Sequence, residues 1–275
     1  MEFKKTSLLE IESHKTELFP DLIERIWTLR NKGKEVELIT PPGQYINLIF
    51  VLNNSTYERN GFLIDNHQVE GISFKNTVLK YPANTELIGI RFYAYGLYPF
   101  IQIPGKELVN NSVNLPLDTE RTKGITNDSL GSNHLLIQEI YRLLNGLFRE
   151  QSGDTLVLLT DFYKQFRWHE ETLSIEKYCK QKNTNYTSLN RKFSQITGIS
   201  PKKFERLIKF RKSLCNLIDG DEKLTSIATA SGYFDQAHFI REFKIFLNNT
   251  PSQYLAIVEQ ADKESRGINY NFRLF

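Results

Sequence analysis

The sequence predicts an α+β protein. Its N-terminal part reads as a β-barrel or sandwich with attached helices. Its C-terminal part reads as all-α, two helix-turn-helix units joined by one long helix. Three observations carry this. Residues 1–120 hold short apolar, β-branched and aromatic runs between turn-forming clusters. From Ser132 the apolar residues recur at helical spacing. A pattern in "TNYTSLNRKFSQITGISP" returns fifty positions later in "GYFDQAHFIREFKIFLNNTP".

The strand runs are "INLIFVLN" (46–53) and "ELIGIRFYAY" (86–95), bounded by "TPPGQ", "NN", "YPANT" and "IPGK". "PDLIERIWTLR" (20–30) fits either period: Leu22, Ile26 and Leu29 have helix spacing, and the run also suits an entry strand. "NHLLIQEIYRLLNGLF" puts Leu136, Ile140, Leu143, Leu144 and Leu147 on one stripe, an amphipathic helix over 133–149. "QSGD" breaks it, and Asp154 suits the N-cap of the next helix, "TLVLLTDFYKQF". "RWHEET" is a charged joint. A chain of 275 residues suggests two domains. The expected division is 1–130, a connector helix within 131–153, a helical domain over 154–260 and a tail, 261–275.

In the repeat, Leu189 matches Phe239, Arg191 matches Arg241, Phe193 matches Phe243, Gly198 matches Asn248 and Pro201 matches Pro251. The first unit has a short helix in "SIEKYCKQKN". Asn185 caps a second helix whose Leu189, Phe193 and Ile196 face inward. Gly198 ends it at a left-handed position. Ser200 and Pro201 open a long third helix running to about Ile218, roughly 27 Å at about 1.5 Å per residue. In the second unit Thr225 is expected to cap the short helix, Gly232 makes the turn, and Asp235 caps a helix with Phe239, Phe243 and Phe246 or Leu247 inside. Asn248 takes the left-handed site, and Thr250 with Pro251 repeats the cap and proline.

What remains outside is polar. The first unit leaves Thr187, Ser188, Asn190 and Arg191; the second leaves Gln236, Ala237, His238, Ile240 and Arg241. Arg, Asn and Gln match base edges in the major groove bidentately, and Ala or Ile can touch a thymine methyl. Lys202, Lys203, Arg206, Lys209, Arg211 and Lys212 on the long helix suit phosphate contacts, and Tyr186 and Lys244 flank the base-facing sets. Charge is partitioned to match. Residues 172–255 carry +7, residues 256–275 carry 0 and residues 1–171 carry −4, so only the helical part suits a polyanion such as double-stranded DNA.

Other chemistries find little here. His14, His67, His134, His169 and His238 are scattered singly, so no metal site and no cofactor is expected. Paired carboxylates, a catalytic triad order and a Gly-rich phosphate loop are not seen, so no catalytic residues are assigned. Cys179 and Cys215 lie in amphipathic helices and read as reduced, buried thiols. No stretch approaches the ~20 apolar residues of a membrane span, and the N-terminus lacks a signal-peptide core, so a cytoplasmic protein with no membrane partner is expected.

"SIATASGYFDQAHFIREFKIFLNNTPSQYL" closely resembles the C-terminal signature of AraC/XylS-type transcription regulators, and "TSLNRKFSQITGISPKKF" resembles that family's first unit. The resemblance covers roughly 155–257. It implies two recognition helices, 185–196 and 235–247, in successive major grooves. It carries base contacts over to Thr187, Asn190, Arg191, Gln236, Ala237, Ile240 and Arg241, with Tyr186, Ser188, Lys202, Lys203, His238 and Lys244 as backbone or secondary contacts. Cys179, Lys209, Ser213 and Asn248 depart from the family pattern. "TPPGQYINLIFVLN" and "LIGIRFYAYGLYPFIQIPGKELVNNSVNL" look more loosely like the cupin-like sensor half of some members, which implies a small-molecule effector, a homodimer, or both, and contact with the transcription machinery. Trp27, Tyr45, Phe62 and Phe92 are the candidate pocket aromatics, and plain core is the blander role for each. An effector-independent regulator and a cupin-type enzyme with a helical passenger stay open beside the effector-controlled regulator.

Overall fold

The computed structural model describes residues 9–126, 133–150, 154–168, 174–220 and 222–263. The joint at 169–172, most of the break at 151–154 and the tail from 264 onward lie outside the described residues.

In chain order the strands are β1 (Leu9–His14), β2 (Ile23–Asn31), β3 (Val36–Thr40), β4 (Ile46–Val51), β5 (Tyr57–Arg59), β6 (Phe62–Ile64), β7 (Gln68–Glu70), β8 (Thr77–Tyr81) and β9 (Glu86–Phe92), then helix α1 (Gly105–Leu108) and β10 (Ser112–Asn114). They form two antiparallel sheets, ordered β1-β2-β9-β4-β7-β10 and β3-β8-β5-β6. No ladder among the described residues joins the two, so a sandwich of open sheets stands where a barrel was the alternative. The β5–β6 hairpin turns on Asn60 and Gly61, both at positive φ, as a two-residue hairpin requires.

The ambiguous run at 20–30 is strand β2. Ile26 faces one side of the sheet, Trp27 and Leu29 the other, and all three are buried. The six-stranded sheet is covered on both faces. Ile49, Val51 and Leu87 join the inter-sheet core, while Leu48, Phe50, Ile88 and Ile90 point to the opposite face. That double burial is why β4 and β9 are written as nearly unbroken apolar runs. Of the four expected pocket aromatics, Trp27 and Tyr45 line the cavity between the sheets. Phe92 belongs to the core on the other face, and Phe62 is 74% exposed on the edge strand β6. Its neighbour Leu63 is 64% exposed, so period-2 alternation fails there.

The helices are α2 (Thr119–Thr126), α3 (Asn133–Leu147), α4 (Thr155–Trp168), α5 (Ile175–Gln181), α6 (Tyr186–Thr197), α7 (Pro201–Asp219), α8 (Leu224–Ala230), α9 (Gln236–Leu247) and α10 (Pro251–Lys263). The five stripe residues of α3 are all buried. They join one apolar cluster that runs from the outer face of the large sheet into the C-terminal helices. Helix α4 is the wedge between them. Tyr163 meets Tyr93 and Tyr95 of the sheet half, and Phe162 meets Tyr178 and Phe193 of the helical half. Three further contacts bridge the halves. Gly105 lies against Gly198, Phe74 stacks on Phe246 with centroids 6.2 Å apart, and Arg211 donates to the Pro42 carbonyl at 3.2 Å. Among the described residues no helix is long and apolar enough to cross a membrane.

Candidate nucleic-acid interface

Each unit is built by its caps. Ser174 Oγ accepts from Lys177 N, Asn185 Oδ1 from Ser188 N at 2.8 Å, and Ser200 Oγ from Lys203 N. Asp235 Oδ1 accepts from His238 N at 2.6 Å. Thr250 and Gln253 form a reciprocal capping box: Gln253 N donates to Thr250 Oγ1, and Thr250 N donates to Gln253 Oε1. Gly198 (φ 76°) and Asn248 (φ 57°) both close their helices in the left-handed conformation. Thr225 departs from expectation. Lys223 precedes α8 and makes no side-chain cap bond, so Thr225 sits inside the first turn. Its hydroxyl donates to Gln236 Oε1 at 2.8 Å and ties α8 to the start of α9.

The two units are not congruent in their turns. Cys179 O accepts from Thr184 N, and Ala228 O accepts from Tyr233 N, a spacing of 49 rather than fifty. The second turn therefore holds one extra residue before its cap, Phe234, which is 91% exposed. The inner faces agree: Leu189, Phe193, Ile196, Phe239, Phe243, Phe246 and Leu247 are all buried. Phe210 of α7 stacks on Phe246 at 4.3 Å, so the long helix sits directly beneath α9.

All thirteen residues expected at the interface keep solvent access. Tyr186, Thr187, Arg191, Lys202, Lys203, Gln236, Ala237, Arg241 and Lys244 are exposed; Ser188, Asn190, His238 and Ile240 are half-buried. Arg191 and Arg241 make no ion pair or side-chain hydrogen bond among the described residues. Other members are already engaged. Asn190 accepts from Ser194 Oγ at 3.3 Å, and the Lys202 ammonium lies 5.4 Å from the Tyr186 ring centre. His238 packs edge-on against Tyr233 and accepts weakly from Phe234 N at 3.5 Å, which holds the turn.

The long helix departs further from expectation. Arg206 grips Glu242 with two bonds of 2.9 and 3.1 Å, and Lys209 pairs with Glu205 at 2.9 Å. Arg211 is 7% exposed and faces the N-terminal half. Of the six expected phosphate contacts, Lys202, Lys203 and Lys212 remain exposed and outside any ion pair among the described residues. The cause is helical phase: Arg206 and Arg211 turn toward neighbouring elements that the helix's own sequence does not display. Elsewhere, burial pushes the Tyr233 and Tyr254 hydroxyls up to about 12, so both stay neutral inside the second unit.

Residues 178–257 match the family described as a helix-turn-helix domain, and residues 17–114 match one described as a domain of unknown function (DUF6597). An uncharacterized HTH-type transcriptional regulator of Staphylococcus aureus strain MSSA476 is 27% identical over 154 residues, 52% of this chain and 20% of that protein. The invasion protein InvF of Salmonella typhi is 32% identical over 79 residues, 29% of this chain and 37% of that protein. The chain thus spans 20% of the length of the Staphylococcus relative and 37% of InvF. Among solved structures, ToxT of Vibrio cholerae superposes with a TM-score of 0.45 at 11% identity, covering 91% of this chain and 98% of that one. The DNA-binding domain of AdpA in complex with a target DNA superposes at 0.35 with 16% identity, covering 42% and 100%.

Proposed function

We propose that the protein is a sequence-specific DNA-binding transcription regulator of the AraC type, a reading supported by the match of residues 178–257 to a helix-turn-helix domain. The observation that carries this is the repeat itself. Arg191 and Arg241 occupy equivalent places on two capped helices, and both are exposed and unpaired among the described residues. A guanidinium held for a structural purpose would have found a carboxylate, as Arg206 has. Thr187, Asn190, Gln236, Ala237 and Ile240 complete the two base-facing rows, with Lys202, Lys203 and Lys244 beside them for the backbone. On this reading α6 and α9 enter two major-groove segments one turn, about 34 Å, apart.

The N-terminal sandwich, 1–130, then serves as a cupin-like sensor or dimerisation domain, with a connector helix within 131–153 and the reader over 154–260. The partners are double-stranded DNA, a second copy of the chain, the transcription machinery and a small effector. The reading assigns no catalysis and places the protein in the cytoplasm. A mobility-shift selection on genomic fragments at about 0.1 M salt tests it. Retention of a subset of fragments that outcompetes bulk DNA is expected, and equal retention of all fragments rejects sequence-specific reading.

A further inference from the structure

We propose that Phe234 is a specificity-determining residue whose ring packs on the 5-methyl group of a thymine, beside the bases met by Gln236 and Ala237. The proposal rests on the regulator reading above. It adds to that reading a residue outside the two polar rows and a chemical group on the DNA.

Phe234 is 91% exposed, more than Phe62 at 74% or Val157 at 70%. A single exposed phenylalanine is ordinary on a protein surface. Its place makes this one different. Asp235 is the N-cap of α9, so Phe234 stands one residue before the cap. An apolar side chain at that position often folds back onto the fourth residue of the helix, here Phe239. Tyr233 has taken that role: it is buried, and its ring lies 5.4 Å from that of Phe239. Phe234 is left with no ring contact among the described residues.

The first unit is built otherwise. Thr184 N and Tyr233 N close the two turns with equivalent bonds to the Cys179 and Ala228 carbonyls. Asn185 follows Thr184 directly as the cap, whereas Phe234 separates Tyr233 from Asp235. The aromatic at the start of α6, Tyr186, has the Lys202 ammonium 5.4 Å from its ring centre. At the start of α9 the aromatic face is unengaged, and its backbone is held. Phe234 N donates to His238 Nδ1 at 3.5 Å, and His238 N donates to Asp235 Oδ1 at 2.6 Å. The His238 ring packs edge-on against Tyr233 with centroids 5.4 Å apart. A backbone fixed in advance reduces the ordering cost of binding.

Chemistry selects the target. A helix in the major groove sets its N-terminal residues against the base edges. Phe234 lies two residues before Gln236, the first residue of α9. A phenyl ring has no donor or acceptor for a base edge and no charge for a phosphate. The apolar group that the major groove offers is the thymine C5-methyl, and phenylalanine is among the side chains that meet it. The other apolar mode, a wedge between base steps, belongs to proteins that enter the minor groove.

The full chain selects duplexes from a random pool, and each thymine of the selected operator, on both strands, is replaced in turn by deoxyuridine. The replacement removes one methyl group and leaves base pairing intact. We expect a position at which wild-type affinity falls about 3-fold or more, the effect of exposing one buried methyl group. Phe234→Ala should weaken binding to the thymine operator by about 3-fold or more, and at that position should bind thymine and deoxyuridine within about 1.5-fold of each other. Its salt slope should match the wild type, because the ring neutralises no phosphate. Phe234→Ser replaces the Ala variant should that one not melt cooperatively. Wild-type indifference to every deoxyuridine overturns the assignment. So does an unchanged affinity in Phe234→Ala, or a variant that keeps every deoxyuridine response of the wild type. A chain that selects no sequence from the pool rejects the regulator reading itself, and this contact with it.

Discussion

Gly105 and Gly198 face each other across the seam between the sheet half and the first helix-turn-helix unit. A β-carbon on Gly105 would lie 2.3 Å from the Gly198 nitrogen and 2.5 Å from the Ile196 carbonyl oxygen. Backbone atoms on both sides leave nothing flexible to yield. Gly105→Ala is therefore expected to destabilise the protein by about 1–3 kcal/mol, read as a lower urea midpoint. Gly198→Ala should cost more, because φ 76° adds strain of about 1 kcal/mol to the same clash. Equal, wild-type midpoints for both would mean the halves do not touch here.

Arg241→Ala and Arg191→Ala should each weaken operator binding by about 1–3 kcal/mol and relax preference at one base pair. Lys203→Ala should weaken all sequences alike and reduce the salt slope by about one. Quantitative titration at several salt concentrations separates the two behaviours.

Glu242→Gln releases Arg206 from its two-bond grip. Both a lost negative charge and a freed guanidinium favour phosphate. Non-specific DNA affinity should rise and the salt slope steepen by about one, while stability falls by no more than about 1 kcal/mol, because Arg206 is half solvated.

Asn248 holds the left-handed C-terminal position of α9 with φ 57°. Asn248→Ala is expected to cost about 1 kcal/mol, and Asn248→Gly to be neutral or slightly stabilising. Thermal midpoints of the pair decide it; an Ala variant as stable as the Gly variant would rule out strain at this site.

His67 accepts a hydrogen bond at Nδ1 from Val51 N at 3.2 Å, and burial lowers its pKa. A depressed folded value means the unfolded chain takes the proton first. Stability is complete above the usual imidazole range of about 6.5 and is lost as pH falls through the lowered folded value. Urea midpoints between about pH 7.5 and 5 should fall in the wild type with a component missing from His67→Gln.

The parts of the fold that are locally encoded were the legible ones. Asn185, Ser200 and Asp235 declare helix starts because the cap is a bond between a side chain and a backbone three residues on. Gly198 and Asn248 declare ends because few residues accept positive φ. Thr225 misleads because its hydroxyl bonds across to Gln236, a partner eleven residues away in another helix. Arg206, Lys209 and Arg211 look alike in sequence, and only the packing of α7 sorts them into a bridge to Glu242, a pair with Glu205 and a buried contact with Pro42. Nothing in "IPGK" signals that Gly105 meets the end of α6, since that contact spans the two halves of the chain. The run at 20–30 is ambiguous in sequence because Leu22, Ile26 and Leu29 satisfy a helical period by chance, and burial on both faces makes it strand β2.

Helix α7 connects the two helix-turn-helix units without a break from Pro201 to Asp219. One residue inserted within it would swing everything downstream by about 100° and advance it by about 1.5 Å. The same insertion would pull Phe210 and Arg211 out of step with one another's partners. The number of residues between the two units is thus a rotational setting, free to vary in composition at its solvated positions but not in count.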